Sequence, residues 1–305
     1  MPMICYVEKR FAKTSLEIID HANEFIEDYL AQGLTLTLRQ LYYRFVAGDL
    51  LRNKLSEYKR LGSIINDARL AGLIDWNAIE DRTRNIIAPS HWNDQADIIK
   101  TAANSYALDK WEGQEKHVEV WVEKEALIGI IERACEELDV SCFACRGYPS
   151  QSELWAAARR FRRINEDDRQ PVIIHLGDHD PSGIDMTRDL RDRMIMFGAD
   201  VEVNRIALTM DQVEEYDPPP NPAKQTDSRC TGYVEEYGDE SWELDALDPP
   251  VLHELIQNTI KENLDQELFD DRVELQEEQR KTLEEAANRW EEIAGFLGNE
   301  KGRRR

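Results

Sequence analysis

The spacing of hydrophobic positions changes character near residue 116. Before that point the apolar residues recur at helical intervals. Leu16, Ile19, Phe25, Ile26 and Leu30 form one stripe, with Ser15 placed to cap it and Gly33 to stop it, so a helix is expected over Ser15–Leu30. A second helix is expected over Thr37–Ala47, ending at Gly48-Asp49, and a third over Ser56–Ala71, ending at Gly72. Leu73, Ile74, Trp76 and Ile79 then read as short extended pieces. Three helices, a tight connection and a β-like tail suggest a winged-helix or helix-turn-helix unit. A polar, mostly helical connector follows from Ile86 to Glu115.

Beyond it, strand and helix alternate. Val118–Val122, Val140–Cys145, Val172–Leu176 and Val201–Ala207 are β-rich runs, separated by helical patterns over Ala126–Leu138, Glu153–Ile164 and Ile184–Met196. That order predicts a parallel sheet covered on both faces. Three prolines mark a loop at Asp217–Asn221. Val251–Leu297 reads as one long or two shorter amphipathic helices with acidic outer faces, either packed on the body or used for dimerisation. The expected fold class is therefore α/β: a winged-helix domain over 1–90, a connector over 91–115, a parallel-sheet domain over 116–250 and a helical extension over 251–305.

Composition narrows the setting. The 305 residues are 41% hydrophobic and 32% charged, a globular composition of about two domains. No apolar run approaches the roughly 20 residues of a membrane span, and Met1–Arg10 lacks the greasy segment of a signal peptide, so a cytoplasmic protein without membrane association is expected. Five cysteines include one C-x-x-C pair, Cys142 and Cys145, with Cys135 nearby. A structural zinc site wants four ligands and a second pair is missing, so these read as core thiols. The formal charge of −23 opposes binding to a polyanion. Yet residues 36–84 are locally basic, with Arg39, Arg44, Arg52, Lys54, Lys59, Arg60, Arg69, Arg82 and Arg84 against Asp49, Glu57, Asp67, Asp75, Glu80 and Asp81. Local potential decides where a polyanion approaches.

Two groups of residues carry candidate chemistry. In open parallel sheets functional groups gather at the carboxyl ends of strands. Glu123 closes the first strand, and Asp178 and Asp180 follow the third, in Gly177-Asp-His-Asp-Pro-Ser-Gly. Period-two alternation sends Asp178 and Asp180 to one side. If the two strands are neighbours, three carboxylates converge, raising one another's pKa unless a cation intervenes. An all-oxygen site of this charge suits Mg²⁺ and phosphoryl chemistry. The second group is Tyr42-Tyr43. Leu38, Leu41, Tyr42 and Phe45 form the inner stripe, which buries Tyr42 and presents Tyr43 beside Arg39 at i−4. Arg39 either packs on the ring or favours its phenolate as a nucleophile.

In combination these groups resemble the topoisomerase VI A subunit and its relative, the meiotic double-strand-break transesterase. Thr37-Leu-Arg-Gln-Leu-Tyr-Tyr43 is similar to the family's tyrosine motif, Val122-Glu-Lys124 to its Toprim glutamate motif, Arg146-Gly-Tyr-Pro149 to its turn, and Gly177–Ile184 to its D-x-D-P-x-G segment. Weaker similarity continues through Leu208–Asp211 and Trp242–Leu247. The short chain resembles most the reduced members called Mini-A. The resemblance implies a winged-helix domain followed by a Toprim domain. It implies Mg²⁺-dependent cleavage of double-stranded DNA through a 5′-phosphotyrosyl link to Tyr43, assisted by Arg39 and Glu123, with the metal on Glu123, Asp178 and Asp180. It also implies a homodimer, with Arg44, Lys54, Lys59, Arg60 and Arg69 lining a DNA channel. Any ATPase would be a separate partner, because no P-loop is present. Two alternatives stay open: a Toprim nuclease that uses water, and a winged-helix DNA-binding module without catalysis.

Overall fold

The computed structural model describes residues 3–31, 35–79, 89–223 and 226–303, with side chains to residue 297. Gly33, Glu80, Asp81, Arg82, Arg84 and the start of the connector at Ile86 lie outside the described residues. The chain forms two compact units, Met1–Arg84 with Lys116–Glu262, and Asn85–Glu115 with Asn263–Arg305.

The first unit opens with helices α1 (Lys13–Ala31), α2 (Leu38–Ala47) and α3 (Leu55–Leu70), each close to its expected span. Ile19, Ile26, Leu41, Phe45, Leu61 and Ile65 pack into one apolar cluster. Thr37 and Gln40 form a reciprocal capping box that fixes the start of α2. The expected β-like tail contributes a single parallel bridge, Leu36 to Ile79, and a second bridge joins Cys5 to Ala71. Gly72, at φ +72°, permits that second approach, since a Cβ there would lie 2.7 Å from the Cys5 amide nitrogen. No longer β-pairing forms among the described residues of this part, so the helices are observed and the order of a winged helix is not.

The sheet part runs β1 (Lys116–Val122), α5 (Ile128–Glu136), β2 (Ser141–Ala144), α6 (Gln151–Glu166), β3 (Gln170–Leu176), α7 (Pro181–Met196) and β4 (Glu202–Ala207). All four strands are parallel, in the order β2-β1-β3-β4. The two central strands are β-branched and buried through Val118, Val120, Val122, Val172, Ile173 and Ile174, as expected for strands covered on both faces. Trp121, Ile173 and Val203 pack with Phe161 of α6 and Leu190 and Met194 of α7. Each such fully buried side chain contributes roughly 1.5–3 kcal/mol.

Downstream come α8 (Met210–Tyr216), a two-residue ribbon of β5 (Asn221–Pro222) with β6 (Glu240–Ser241), α9 (Cys230–Tyr237), a 3₁₀ turn (Leu244–Ala246) and α10 (Pro249–Lys261). Leu252, Ile256 and Ile260 of α10 are fully buried, and the helix packs on α5 and β4. The segment 251–297, expected as one long or two shorter helices, is divided among three, and the first of them packs with the sheet.

The second unit pairs α4 (Gln95–Ser105) with α11 (Gln266–Asn288), followed by α12 (Trp290–Arg303). Asp265 starts α11 by accepting from the amides of Glu267 and Leu268. The side-chain amide of Gln114 exchanges hydrogen bonds with the Asp265 backbone at 2.8 and 2.7 Å. Among the described residues no helix is long and apolar enough to cross a membrane.

Candidate functional site

Because β1 and β3 are hydrogen-bonded neighbours, their carboxyl ends bring Glu123 beside the Asp178 turn. The Asp178 amide donates to the Glu123 carboxylate at 3.0 Å. Two glycines leave room for that carboxylate. A Cβ at Gly177 would sit 3.0 Å from Glu123 Oε2, and one at Gly183 would lie 3.1 Å from it and 2.2 Å from the Asp178 carbonyl. The second distance no side chain tolerates, so Gly183 is obligatory here. Asp180 caps α7, accepting from the Gly183 amide at 2.7 Å and the Ser182 hydroxyl at 2.8 Å. Asp178 accepts from the Leu244 amide and the Lys124 ammonium, both at 2.8 Å.

The electrostatics follow from this crowding. Glu123 is pushed up to about 7, chiefly by burial and then by repulsion from Asp178 and Asp180. Burial also raises Asp178, against the pull of Lys124. Beneath the turn, Arg205 of β4 donates to the carbonyls of Asp178, Gly177 and Gly183 at 2.6, 2.8 and 2.9 Å. Burial brings this guanidinium down to about 10, although Glu123, Asp178 and Asp180 hold it up.

His179 lies between the two aspartates in sequence and inside an aromatic box in space. The rings of Tyr237, Tyr233 and Trp242 stand 4.7, 5.6 and 5.8 Å from it. Its backbone exchanges two hydrogen bonds with Trp242, at 2.8 and 2.9 Å. The Tyr233 hydroxyl donates to the His179 carbonyl at 2.9 Å, so at 2.8 Å from Nδ1 it accepts, which assigns the ring proton to Nδ1. Burial takes the ring down to about 4. The residue is a neutral pin that fixes the turn.

The tyrosine helix meets the sheet through charge. Arg39 is ion-paired with both Glu243 and Asp245, and Lys124 reaches the same two acids at 3.1 and 3.0 Å. The Asp245 side chain is only 1% exposed. Arg39 lies 5.7 Å over the Tyr43 ring, with 3.5 Å between its nitrogen and the phenolic oxygen. Arg39, Glu123, Lys124, Glu125, Arg146 and Asp245 line one open cleft.

Two expectations need correction. Tyr43 is not presented: at 6% exposure it is as buried as Tyr42 at 4%, because the 244–246 turn packs on α2. Nor is its phenol eased toward ionisation. Burial first, then Asp245 and Glu243, push its pKa above the ordinary value, and Arg39 offsets little because its charge is already shared with those acids. Tyr42, the expected core residue, accepts from the Lys54 amide at 2.8 Å and ties α2 to the start of α3.

The expected DNA contacts divide. Arg44 is held by Asp248 at 2.5 Å, and Arg69 donates to the Trp76 carbonyl at 2.6 Å while stacking on its ring. Lys54, Lys59 and Arg60 are exposed, Arg60 beside Glu57 at 3.0 Å. Lys124, Arg205, His179, Glu243 and Asp245 are site residues that pattern reading did not single out. The signal for the last two was an acid at i and i+2 just after a buried tryptophan. Arg205 gave none, since it sits beside Glu202 and Asn204 in a strand of mixed character.

Among the described residues no group of three or more His, Cys, Asp or Glu side chains is placed to hold a metal ion. The charge balance nevertheless fits a hard divalent cation. Among the described residues, Glu123, Asp178, Asp180, Glu243 and Asp245 gather around Arg39, Lys124 and Arg205, with Arg146 at the cleft, and repulsion from Asp178 and Asp180 adds to burial in raising Glu123. No family model, no curated protein and no solved structure matches this chain.

Proposed function

We propose that this chain is a Mg²⁺-dependent enzyme of the topoisomerase VI A type, cleaving double-stranded DNA by tyrosine transesterification. The observation that carries the reading is the acidic cluster built where adjacent parallel strands end, with Glu123 held against the Asp178 amide and pushed to about 7. A polyanionic backbone can lie there only with added positive charge, and Glu123, Asp178 and Asp180 would hold the cation, which offsets charge on the transferring phosphate. Alternatively, with the cation held by Asp178 and Asp180 alone, Glu123, pushed up to about 7 by burial, would give a proton to the leaving 3′-oxygen and take it back. Arg39 and Lys124 supply fixed positive charge at the cleft. Tyr43 attacks phosphorus, its oxygen–phosphorus bond replacing the bond to the 3′-oxygen; the phenolic proton is released to water and the departing 3′-oxygen takes up one. In this reading a homodimer cuts both strands, and any ATPase acts as a separate partner.

One observation favours the alternative in which water attacks: burial first, and then Asp245 and Glu243, hold the phenol protonated. Covalent trapping separates the two. Protein is mixed with supercoiled plasmid and Mg²⁺, then quenched with denaturing detergent. The proposal expects protein-linked 5′ ends that vanish in Tyr43→Phe. Free 5′-phosphates that survive that substitution establish hydrolysis instead. Intact plasmid at every Mg²⁺ and salt concentration would remove the cleavage reading.

A further inference from the structure

The outer face of α6 carries a run of exposed arginines, with Glu153 and Glu166 exposed near its two ends. Its inner stripe of Leu154, Ala157, Ala158 and Phe161 is buried against the sheet. Outward stand Trp155, Arg159, Arg162 and Arg163, all exposed, with Trp155 at 50%. Arg160 is spent on Glu119, in a two-bonded pair at 2.7 and 2.8 Å. Arg159 instead lies 4.8 Å over the Trp155 ring. Arg159, Arg162 and Arg163 carry no salt bridge among the described residues, although the chain has 61 acids against 38 lysines and arginines.

Solvated arginines alone would be ordinary surface. A large exposed indole beside them is not, since its burial elsewhere would be favourable. Arg159 and Arg163 are one helical turn apart, a rise of about 6 Å, so neighbouring phosphates of one strand can be met together. Arginine grips phosphate through paired donors. The indole offers a flat π-surface that any unstacked base can cover. A duplex keeps its bases stacked and would leave that surface unused.

We propose that the outer face of α6 docks single-stranded nucleic acid, with Arg159, Arg162 and Arg163 on the phosphates and Trp155 under a base. This binding requires neither Tyr43 nor the acidic cleft, so it stands or falls separately from cleavage.

The test is fluorescence anisotropy of a labelled oligothymidylate across a salt series, without Mg²⁺. Wild type and Tyr43→Phe are expected to bind alike and to weaken as salt rises. Replacing Arg159, Arg162 and Arg163 together by glutamate is expected to cost at least tenfold in affinity. It should also flatten the slope of log affinity against log salt by about 2, at roughly 0.7 per lost phosphate contact. Trp155→Ala should cost about tenfold with the slope unchanged. All four side chains are exposed, so circular dichroism and the melting midpoint should match wild type. The proposal is overturned if wild type does not bind, if the triple variant keeps the wild-type affinity and slope, or if Trp155→Ala has no effect. A triple variant that changes the hydrodynamic mass but not oligonucleotide binding would make this face a contact between copies, and would equally refute it.

Discussion

Replacing Glu123 by glutamine removes a charge that burial first, and then repulsion from Asp178 and Asp180, disfavours. The amide keeps the shape and an oxygen to accept the 3.0 Å bond from the Asp178 amide, while removing the charge. In wild type the carboxyl is held near 7 against an ordinary 4.5. At about 1.4 kcal/mol per unit, the ionised form costs the folded protein about 3 kcal/mol. The sign follows from linkage. A raised folded pKa means the stabilising proton is fully held below about 4.5 and is lost as pH rises through about 7. Urea denaturation should therefore find Glu123→Gln more stable than wild type by up to about 3 kcal/mol at pH 8, and equal to it near pH 4.5. Wild-type stability should fall between those limits, and the variant's should fall less. Mg²⁺ at pH 8 should raise the wild-type midpoint and move the variant's less, because a bound cation would remove the same repulsion. A variant less stable than wild type at pH 8, or one with an identical pH profile, would refute this account of the cluster.

Glu119 gives the opposite sign a few residues earlier on the same strand. Burial raises its pKa, but hydrogen bonds from His117, Arg160 and Trp121 bring it down to about 2, so Glu119→Gln should destabilise by about 3 kcal/mol at pH 7. Because this folded pKa is depressed, the loss should disappear as pH falls from about 4.5 toward 2, which acid-titrated denaturation curves will show. Lys124→Met leaves Asp178, with its side chain 9% exposed, without its ammonium partner. Breaking a buried pair costs about 3–5 kcal/mol. Arg39 continues to hold Glu243 and Asp245, so about 3 kcal/mol is expected at neutral pH, shrinking toward acid as Asp178 takes a proton.

Much of the sheet was legible because its signal is local. β-branched runs alternating with helical patterns give the four parallel strands directly, and each helix begins within a few residues of its expected start. Placing Glu123 beside Asp178 required that β1 and β3 be neighbours, a condition that the sequence left open and the order β2-β1-β3-β4 meets. What periodicity could not supply was partnership across long separations. Arg39 meets Glu243 and Asp245, and Arg44 meets Asp248, some two hundred positions later. Helical phase turned Tyr43 away from the inner stripe, yet both tyrosines lie in one buried cluster with their rings 5.5 Å apart. It could not show that the 244–246 turn covers the face so exposed. The C-terminal segment read as nearly continuous because its acidic faces look alike, yet Leu252, Ile256 and Ile260 bury α10 against the sheet while α11 carries only Phe269 and Ala287 as buried residues.

The position of Arg39 bears on both proposed nucleophiles. While it is shared by Glu243 and Asp245, its effect on the phenol is smaller than theirs, and Tyr43 stays protonated. A phosphate entering the cleft would compete for Arg39 and Lys124, but drawing those cations away leaves Glu243 and the buried Asp245 uncompensated. Tyrosine attack thus carries a cost that hydrolysis avoids, because water needs no ionised phenol and Glu123 already titrates near neutrality. A cation at Glu123, Asp178 and Asp180 lowers that cost by adding positive charge to the same cleft. The phenol and the acidic cluster are therefore linked through one charge balance, with Arg39 and Lys124 as its shared members.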